Sequence, residues 1–203
     1  MRTTLPKQIV LASANAGKLS ELRNLLTPIE ISLISIKELG LSSPAETGLT
    51  FVENALIKAR HASAETGLAA IADDSGLVVP ALGGAPGLRS SRYGGANASA
   101  DDNNKKLIEA LNDFDEREAY FYCALVLLTD ANDPAPIIAT AAWWGTIIDN
   151  AQGSMGFGYD PYFWLSELNK TAAELDQKTK NKISHRGQAF QKLIAKLQIG
   201  GRS

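Results

Sequence analysis

Apolar and polar positions follow two different periods along this chain, and segments with each period alternate. Runs that are apolar at nearly every position predict buried strands, whereas apolar residues spaced three and four apart predict helices. The predicted strands are Gln8–Ser13, Glu30–Ile36, Ala69–Val79, Tyr120–Leu128 and Ile137–Ile148. The predicted helices are Gly17–Leu26, Thr50–Thr66, Asp101–Leu111 and Ser184–Gln198. Strands and helices that alternate in this way predict an α/β protein.

Three of these elements carry more detailed expectations. The Ala69–Val79 run is interrupted by Asp73-Asp74-Ser75-Gly76, residue types that favour turns, which predicts a strand pair broken at this point. Tyr120–Leu128 is apolar throughout, which predicts a central strand covered on both faces, with Ile137–Ile148 as its hairpin partner.

The helix Thr50–Thr66 has the clearest sequence signals. Thr50 and Glu53 have the spacing of a capping box, in which each side chain binds a free backbone N–H group of the first turn. One helix face is apolar, and another carries the polar stripe Asn54, Lys58 and His61.

Composition and charge limit the functions that this chain can have. Its 203 residues suffice for one domain, and a hydrophobic fraction of 45% is typical of a folded globular protein. A net charge of −2 disfavours a nucleic-acid partner, because duplex binders carry a basic surplus. No segment approaches the roughly 20 apolar residues of a membrane span, so we expect a cytoplasmic protein. The lone Cys123 lies in an apolar run, which predicts a buried, inert thiol.

A candidate phosphate loop lies between the first predicted strand and helix. It consists of Ser13, Ala14, Asn15, Ala16, Gly17 and Lys18. Backbone N–H groups at a helix start attract anions, and Lys18 adds a positive charge in the first turn. The order of residues is not that of a Walker A loop. A helix cap with an exposed lysine explains this segment equally well.

Paired carboxylates provide a second candidate site. Asp73 and Asp74 lie between apolar residues, and two adjacent carboxylates there need a compensating charge. Mg²⁺ prefers carboxylate and phosphate oxygens, and one carboxylate could also deprotonate a water molecule. Glu46 could supply a further metal oxygen, and Lys58 could neutralise phosphate charge. The alternative is a polar turn beside an ordinary solvated lysine.

Two further segments could contact a nucleotide base. The glycine-rich segment Gly153–Asp160 lets the backbone approach a ligand closely, and its aromatic residues offer stacking surfaces. Lys180, His185 and Arg186 lie at the start of the last predicted helix, where they could donate to phosphate and purine oxygens. On composition alone, a flexible surface loop explains the glycines slightly better.

Taken in order along the chain, these motifs resemble one known family, the inosine triphosphate pyrophosphatases, also called dITP/XTP pyrophosphatases. The resemblance runs from Ile9 to Leu197 and rests on the segments SANAGK, ETGLTFVENALIKA, IADDSGL, LGGAPGLRSSRYGG, GFGYDP and ISHRGQA. Each motif alone is a weak signal, but six in the family's order are specific.

This resemblance implies a single domain over residues 1–203 with a short N-terminal extension over 1–7. The implied fold is a curved mixed β-sheet with flanking helices in two lobes and a nucleotide cleft between the lobes. It also implies a homodimer. The implied reaction is Mg²⁺-dependent hydrolysis of the purine triphosphates ITP, dITP and XTP, in which water attacks the α-phosphorus and pyrophosphate leaves.

The resemblance also implies roles for individual residues. Asp74 is the expected general base and, with Glu46, a ligand of Mg²⁺. Ser13 to Lys18 form the expected triphosphate loop, and Lys58 is a further phosphate contact. The other expected substrate contacts are Ser75, Phe157, Gly158, Tyr159, Asp160, Lys180, His185 and Arg186, of which the last two read the 6-oxo group of the purine.

Three points bear on how the family pattern applies to this site. Lys182 lies two residues from Lys180, so the sequence does not decide which of the two lysines contacts phosphate. The loop has Ser13-Ala14-Asn15 where relatives have Thr-Gly-Asn or Thr-His-Asn, so the hydroxyl is kept. Many relatives have two consecutive acids where this chain has Ala45-Glu46, which leaves Glu46 as the single candidate ligand from that loop.

Three other functions are compatible with parts of the sequence. One is a pyrophosphatase for pyrimidine or modified nucleotides on a related fold. Another is a regulatory protein that binds nucleotides without catalysis, although the Asp73-Asp74 pair argues against a pure polyanion binder. The third is a single-stranded nucleic-acid binder that uses Trp143, Trp144 and the aromatics of the glycine-rich segment.

Overall fold

A computed structural model describes residues 7–13, 15–26 and 31–200. Its seven strands are β1 (Gln8–Leu11), β2 (Ser32–Ser35), β3 (Ala70–Val78), β4 (Glu118–Leu128), β5 (Ile137–Ile147), β6 (Phe163–Leu165) and β7 (Lys170–Thr171). They form one open sheet in the order β2-β1-β3-β4-β5-β6-β7. β1 pairs in parallel with β2 and β3, whereas β6 pairs antiparallel with β5 and β7, so the sheet is mixed.

Five α-helices accompany the sheet. They are α1 (Ala16–Leu26), α2 (Phe51–Thr66), α3 (Ala100–Ala110), α4 (Gln177–Ile183) and α5 (His185–Gly200). The predicted α/β class with a mixed sheet and flanking helices is therefore confirmed. The curvature of the sheet and a nucleotide cleft stay predictions, as does the division into one domain with a short extension. No helix in residues 7–13, 15–26 and 31–200 combines the length and apolarity that crossing a membrane requires.

The chain divides into two compact units, and three strands contribute residues to both. Unit 1 comprises Met1–Asp74, Cys123–Ala141 and Arg186–Ser203. Its first apolar cluster packs β1, β4 and β5 against α1 and α5, through residues such as Leu22, Leu125 and Phe190. Its second cluster contains the apolar face of α2, which is made of small side chains; Ala55 and Ala59 there are fully buried. Small side chains allow the helix to approach the sheet closely.

Unit 2 comprises Ser75–Tyr122 and Ala142–His185. Its single apolar cluster is rich in aromatic residues, with Phe121, Trp143, Tyr159 and Phe163 at its centre. Trp143 is thereby placed in the core, whereas the neighbouring Trp144 is half exposed and its ring lies 4.4 Å from that of Tyr120.

The apolar run of β4 produces the strand that the sequence predicted. β4 is the fourth of seven strands, it neighbours β5, and every residue from Cys123 to Leu128 is buried. Burial raises the pKa of the Cys123 thiol to about 12, so this side chain is a neutral core residue at physiological pH. The predicted hairpin partner and the inert thiol agree with this arrangement.

β3 differs from its prediction, because it runs unbroken from Ala70 to Val78. Asp73 and Asp74 are part of the strand and are buried, so the turn preference of Asp, Ser and Gly does not decide the local structure. The physical reason is that both carboxylates have cationic partners, which replace the water that they would seek in a turn.

The end of the chain also differs from its prediction. The sequence Gln177–Ile183 lacks an apolar period and was not among the predicted helices, yet it forms α4, with Asp176 as its N-cap. Ser184, predicted to begin the last helix, is instead the C-cap of α4, and α5 begins at His185. Phe190, Leu193, Ile194 and Leu197 of α5 pack on the core of unit 1 as predicted. The Gly200-Gly201 pair predicts the end of this helix; α5 runs to Gly200, and Gly201 lies outside the described residues.

Helix α5 also covers part of a strand. β6 pairs with the last two residues of β5, Thr146 and Ile147. Further back along β5, the Nζ atoms of Lys192 and Lys196 donate to the backbone oxygens of Thr140 (2.9 Å) and Ile138 (2.5 Å). These carbonyl groups are therefore satisfied by lysines from a helix.

The predicted capping box at the start of α2 is confirmed and provides a test of local stability. The Thr50 hydroxyl accepts from the Glu53 N–H, and the Glu53 carboxylate accepts from the Thr50 N–H. We expect Thr50→Ala to lower the free energy of unfolding by about 1 kcal/mol, measured by urea denaturation. Thr50→Ser keeps the hydroxyl and is the control. A Thr50→Ala variant as stable as wild type would contradict this role.

Candidate functional site

The candidate phosphate loop connects β1 to α1, and its described atoms form a helix cap. The Asn15 side chain accepts from the Lys18 N–H (3.1 Å), and the Ser13 hydroxyl accepts from the Asn15 N–H (3.2 Å). Ala14 and the side chain of Ala16 lie outside the described part of the structure, while Gly17 is partly buried. The segment therefore has the helix-start geometry that favours an anion, with Lys18 in its first turn.

Lys18 reaches into the interior of unit 1, where it meets the first of the paired acids. Its Nζ lies 2.9 Å from Oδ2 of Asp73, which is fully buried. The Arg186 Nε lies 3.5 Å from the same oxygen, and another nitrogen of Arg186 donates to Glu21. Burial alone would raise the pKa of Asp73, but the charges of Lys18, Arg186 and Lys58 outweigh burial and hold that pKa far below its usual value.

Asp74 has different partners, because neighbouring side chains on a strand point to opposite faces. Its Oδ1 accepts from Lys58 Nζ at 2.7 Å, and its Oδ2 accepts from Asn54 Nδ2 at 3.3 Å. Burial raises the pKa of Asp74, and the positive charge of Lys58 opposes that rise without cancelling it. A carboxylate with a raised pKa, anchored by both of its oxygens, is suited to accept a proton.

Glu46 approaches the same lysine. Its Oε1 lies 3.1 Å from Lys58 Nζ, so one ammonium group bridges Glu46 and Asp74. The pKa of Lys58 is raised although burial alone would lower it, because the charges of Asp73, Asp74 and Glu46 favour the ammonium form. The sequence stripe Asn54, Lys58 and His61 therefore faces the acid site and its loop, since His61 Nε2 also lies 3.0 Å from the Ser42 oxygen.

The residues present fit a divalent cation at Asp74 and Glu46. Carboxylate oxygens are the ligands that Mg²⁺ prefers, and two carboxylates that converge on one positive charge already form a cation-attracting pocket. Among residues 7–13, 15–26 and 31–200 no group of three or more His, Cys, Asp or Glu side chains surrounds a metal position. Two carboxylates are nevertheless enough for Mg²⁺, which usually keeps waters and binds substrate phosphates as well.

The glycine-rich segment belongs to unit 2 and is built around Asp160. The Asp160 carboxylate accepts from the Phe157 N–H (2.8 Å) and pairs with Lys180 Nζ (2.5 Å). Lys180 Nζ also lies 5.1 Å from the centre of the Phe157 ring. Gly156 has a φ of +81°, and a Cβ atom there would overlap the Asp160 carboxylate, so glycine is required for this fold of the loop.

The two aromatic residues of this segment have different environments. Phe157 is 43% exposed and offers a ring face, whereas Tyr159 is buried in the core with its hydroxyl donating to the Ser90 oxygen. Tyr159 thus packs inside unit 2, which corrects the expectation that both rings offer stacking surfaces. Gly158 is held by its carbonyl oxygen, which accepts from Asn104 Nδ2 at 3.0 Å.

Lys180 and Lys182 could not be separated by sequence as phosphate contacts, and they differ in burial. Lys180 is buried with Asp160, whereas Lys182 is exposed. Ser75, another predicted contact, is a partly buried residue of β3 directly after Asp74. The position of Lys180 beside the glycine-rich segment makes it the stronger candidate of the two lysines.

The predicted base readers have extensive protein contacts. The His185 ring is buried and stacks on Phe121, with 4.9 Å between ring centres and an angle of 13° between the planes. Arg186 is buried between Glu21 and Asp73. Both side chains therefore have structural partners, and their contact with a purine stays a prediction.

In unit 1 the structure forms two groups of ion pairs. Lys18 and Arg186 meet at Asp73, and Lys58 lies between Glu46 and Asp74. In unit 2 it brings together Phe157, Asp160 and Lys180. Sequence reasoning missed the contributions of Glu21 and Asn104. Glu21 lies three residues after Lys18 on α1, so its position on the same helix face was a signal, but its partner Arg186 is 165 residues away.

Comparison with known proteins shows which family the chain matches. A sequence model of the Ham1 family matches residues 9–196. A curated dITP/XTP pyrophosphatase of Nitrosomonas europaea is 53% identical over 190 residues, covering 94% of each chain. The dITP/XTP pyrophosphatase of Salmonella typhimurium is 51% identical over 196 residues, which cover 96% of this chain and all of that protein.

Solved structures share the fold along nearly the whole chain. A HAM1 protein from Coxiella burnetii superposes with a TM-score of 0.88 at 49% identity, covering 95% of this chain and 98% of the other. A dITP/XTP pyrophosphatase from Mycobacterium abscessus has a TM-score of 0.74 at 38% identity, covering 92% and 98%. From the match over residues 9–196 and the identity to these relatives, it follows that the chain belongs to the Ham1 family.

Proposed function

We propose that this protein is a dITP/XTP pyrophosphatase, which hydrolyses non-standard purine nucleoside triphosphates to the monophosphate and pyrophosphate. The substrate class comes from the relatives, whose names describe this activity and whose chains match nearly end to end. The observation that carries the chemistry is the Asp74 carboxylate, which is largely buried, held by both oxygens and raised in pKa.

In this proposal Asp74 takes the proton from the attacking water. A carboxylate whose pKa is raised by burial is a stronger base than an ordinary aspartate, and the positive charge of Lys58 limits that rise. Water that loses its proton to Asp74 attacks the α-phosphorus, and the bond to the β-phosphate oxygen breaks, so pyrophosphate leaves.

Several positive groups of unit 1 would balance the charge of the triphosphate. The start of α1 offers backbone N–H groups, and Lys18 lies in its first turn, partly exposed. Lys58 pairs with two carboxylates and would exchange one of them for a phosphate oxygen. In unit 2, Lys180 and the exposed ring of Phe157 are the candidate contacts.

We further propose that Asp74 and Glu46 hold Mg²⁺. A bound Mg²⁺ would supply charge neutralisation at phosphate oxygens when present. Selectivity for a 6-oxo purine would come from N–H donors facing that oxygen, because a 6-amino group would leave such donors unpaired. The homodimer that the resemblance implies and the cytoplasmic location expected from the sequence stay predictions.

The direct test of the proposal is pyrophosphate release in the presence of Mg²⁺ with dITP, XTP, dGTP, dATP and dTTP as substrates. We expect fast release from dITP and XTP and slow release from the other three. Faster hydrolysis of dTTP would favour a pyrimidine nucleotide pyrophosphatase instead. Tight binding of dITP with no release from the folded protein would favour a binding protein.

The role of Asp74 is tested with Asp74→Asn. The amide keeps the shape of the side chain but cannot take a proton, so we expect kcat to fall by roughly 10²- to 10⁴-fold. Circular dichroism should show an intact fold. Asp113→Asn, in an exposed acidic loop, is the matched control and should behave as wild type. Turnover near the wild-type rate in Asp74→Asn would refute the assignment.

The charge coupling between Lys58 and Asp74 predicts a change in pH dependence. Asp74 acts deprotonated, so activity is lost as the pH falls through its pKa, and Lys58 lowers that pKa. Lys58→Met should therefore move the acid limb of kcat/KM to higher pH, by about one unit or more. The control is Lys105→Met, an exposed lysine of α3. An unmoved acid limb would show that the group titrating there is not Asp74.

A further inference from the structure

Asn54 connects the proposed base to the loop that carries Glu46. It lies in the first turn of α2 and is 2% exposed. Its Oδ1 accepts from the Gly48 N–H at 2.8 Å, and its Nδ2 donates to Oδ2 of Asp74 at 3.3 Å. Both halves of a buried amide are therefore used, one on the loop and one on the strand.

Gly48 shows that the loop is fitted closely to this part of α2. A Cβ atom at Gly48 would lie 2.6 Å from Cβ of Glu53 and 2.7 Å from Oδ1 of Asn54. Real Cβ atoms do not approach other atoms so closely, and the Gly48 backbone can therefore lie against Asn54 only because it has no side chain. Glu46 precedes this contact by two residues, so the contact restricts where its carboxylate can be.

Lys58 makes a second connection between Asp74 and the loop that carries Glu46. It lies four residues after Asn54 on α2, so the two side chains share a face of the helix. Lys58 binds Oδ1 of Asp74 and Oε1 of Glu46, while Asn54 binds Oδ2 of Asp74 and the backbone of the Glu46 loop. The helix therefore joins strand and loop by one charged connection and one neutral connection.

These two connections respond differently to a triphosphate. The ammonium group of Lys58 is attracted by phosphate oxygens and can leave a carboxylate, whereas a neutral amide has no such attraction. We propose that Asn54 is a positioning residue that keeps Asp74 oriented and the Glu46 loop in place while Lys58 binds substrate. This inference rests on the proposed function, because it gives Asn54 the role of holding Asp74 and the Glu46 loop of that same site.

The test compares Asn54→Ala and Asn54→Asp with Asn103→Ala. Asn103 is also buried and also uses both halves of its amide, here on the Gly94 N–H and the Ser91 oxygen, but it lies in unit 2. We expect Asn54→Ala and Asn103→Ala to lose comparable stability in urea. Only Asn54→Ala should lower kcat for dITP, by about 10- to 100-fold, with KM unchanged, because orientation of the base and not substrate binding is affected.

Hydrogen exchange in the ligand-free protein supplies a measurement that does not need turnover. Asn54→Ala should speed exchange of the Gly48 amide, whereas Asn54→Asp keeps the acceptor and should keep the protection. Asn54→Asp should still lose kcat, because it replaces the donor to Asp74 by a second carboxylate. A kcat for Asn54→Ala equal to that of Asn103→Ala, or unchanged Gly48 exchange, would overturn the inference.

A failure of the proposed function and a failure of the positioning role of Asn54 would give different results. If wild-type protein released no pyrophosphate, the proposed function would fail, and Gly48 exchange would still decide whether Asn54 holds the loop. If wild type released pyrophosphate and Asn54→Ala did so at the same rate, only the positioning role would fail.

Discussion

The burial of the Asp73 carboxylate is the constraint around which unit 1 is arranged. A fully buried carboxylate is unfavourable without cationic partners, and removing one partner of such a pair costs about 3–5 kcal/mol. Lys18 from α1 and Arg186 from the start of α5 supply the charge, and Glu21 balances Arg186 in turn. The starts of two helices far apart in sequence are thereby tied to one point of β3.

The two adjacent carboxylates of β3 have different roles, Asp73 in the structure and Asp74 in the proposed chemistry. Because adjacent residues of a strand face opposite ways, Asp73 takes its cations on one face while Asp74 faces α2 on the other. The pKa values of the two neighbours move in opposite directions, one far down and one up. A buried, permanently charged anchor thus lies next to a carboxylate that can accept a proton.

Features that depend only on residues close together in the sequence were predicted correctly. The Thr50–Glu53 capping box, the apolar strand β4 and the apolar face of α5 follow from spacing alone. Features that depend on distant partners were predicted wrongly or missed. β3 was expected to break because Asp, Ser and Gly favour turns, and α4 was missed because its residues are polar. Lys180 is buried in α4 only because Asp160, twenty residues earlier, neutralises it.

The lysines of α5 have a consequence beyond the site. In unit 1, the stretch of β5 that contains Ile138 and Thr140 offers backbone oxygens that a foreign strand could bind. Lys192 and Lys196 occupy those oxygens and bring positive charge to that stretch. The C-terminal helix therefore takes up backbone oxygens to which an added strand would otherwise bind. A chain shortened before Lys192 would expose a pairing edge as well as lose core packing.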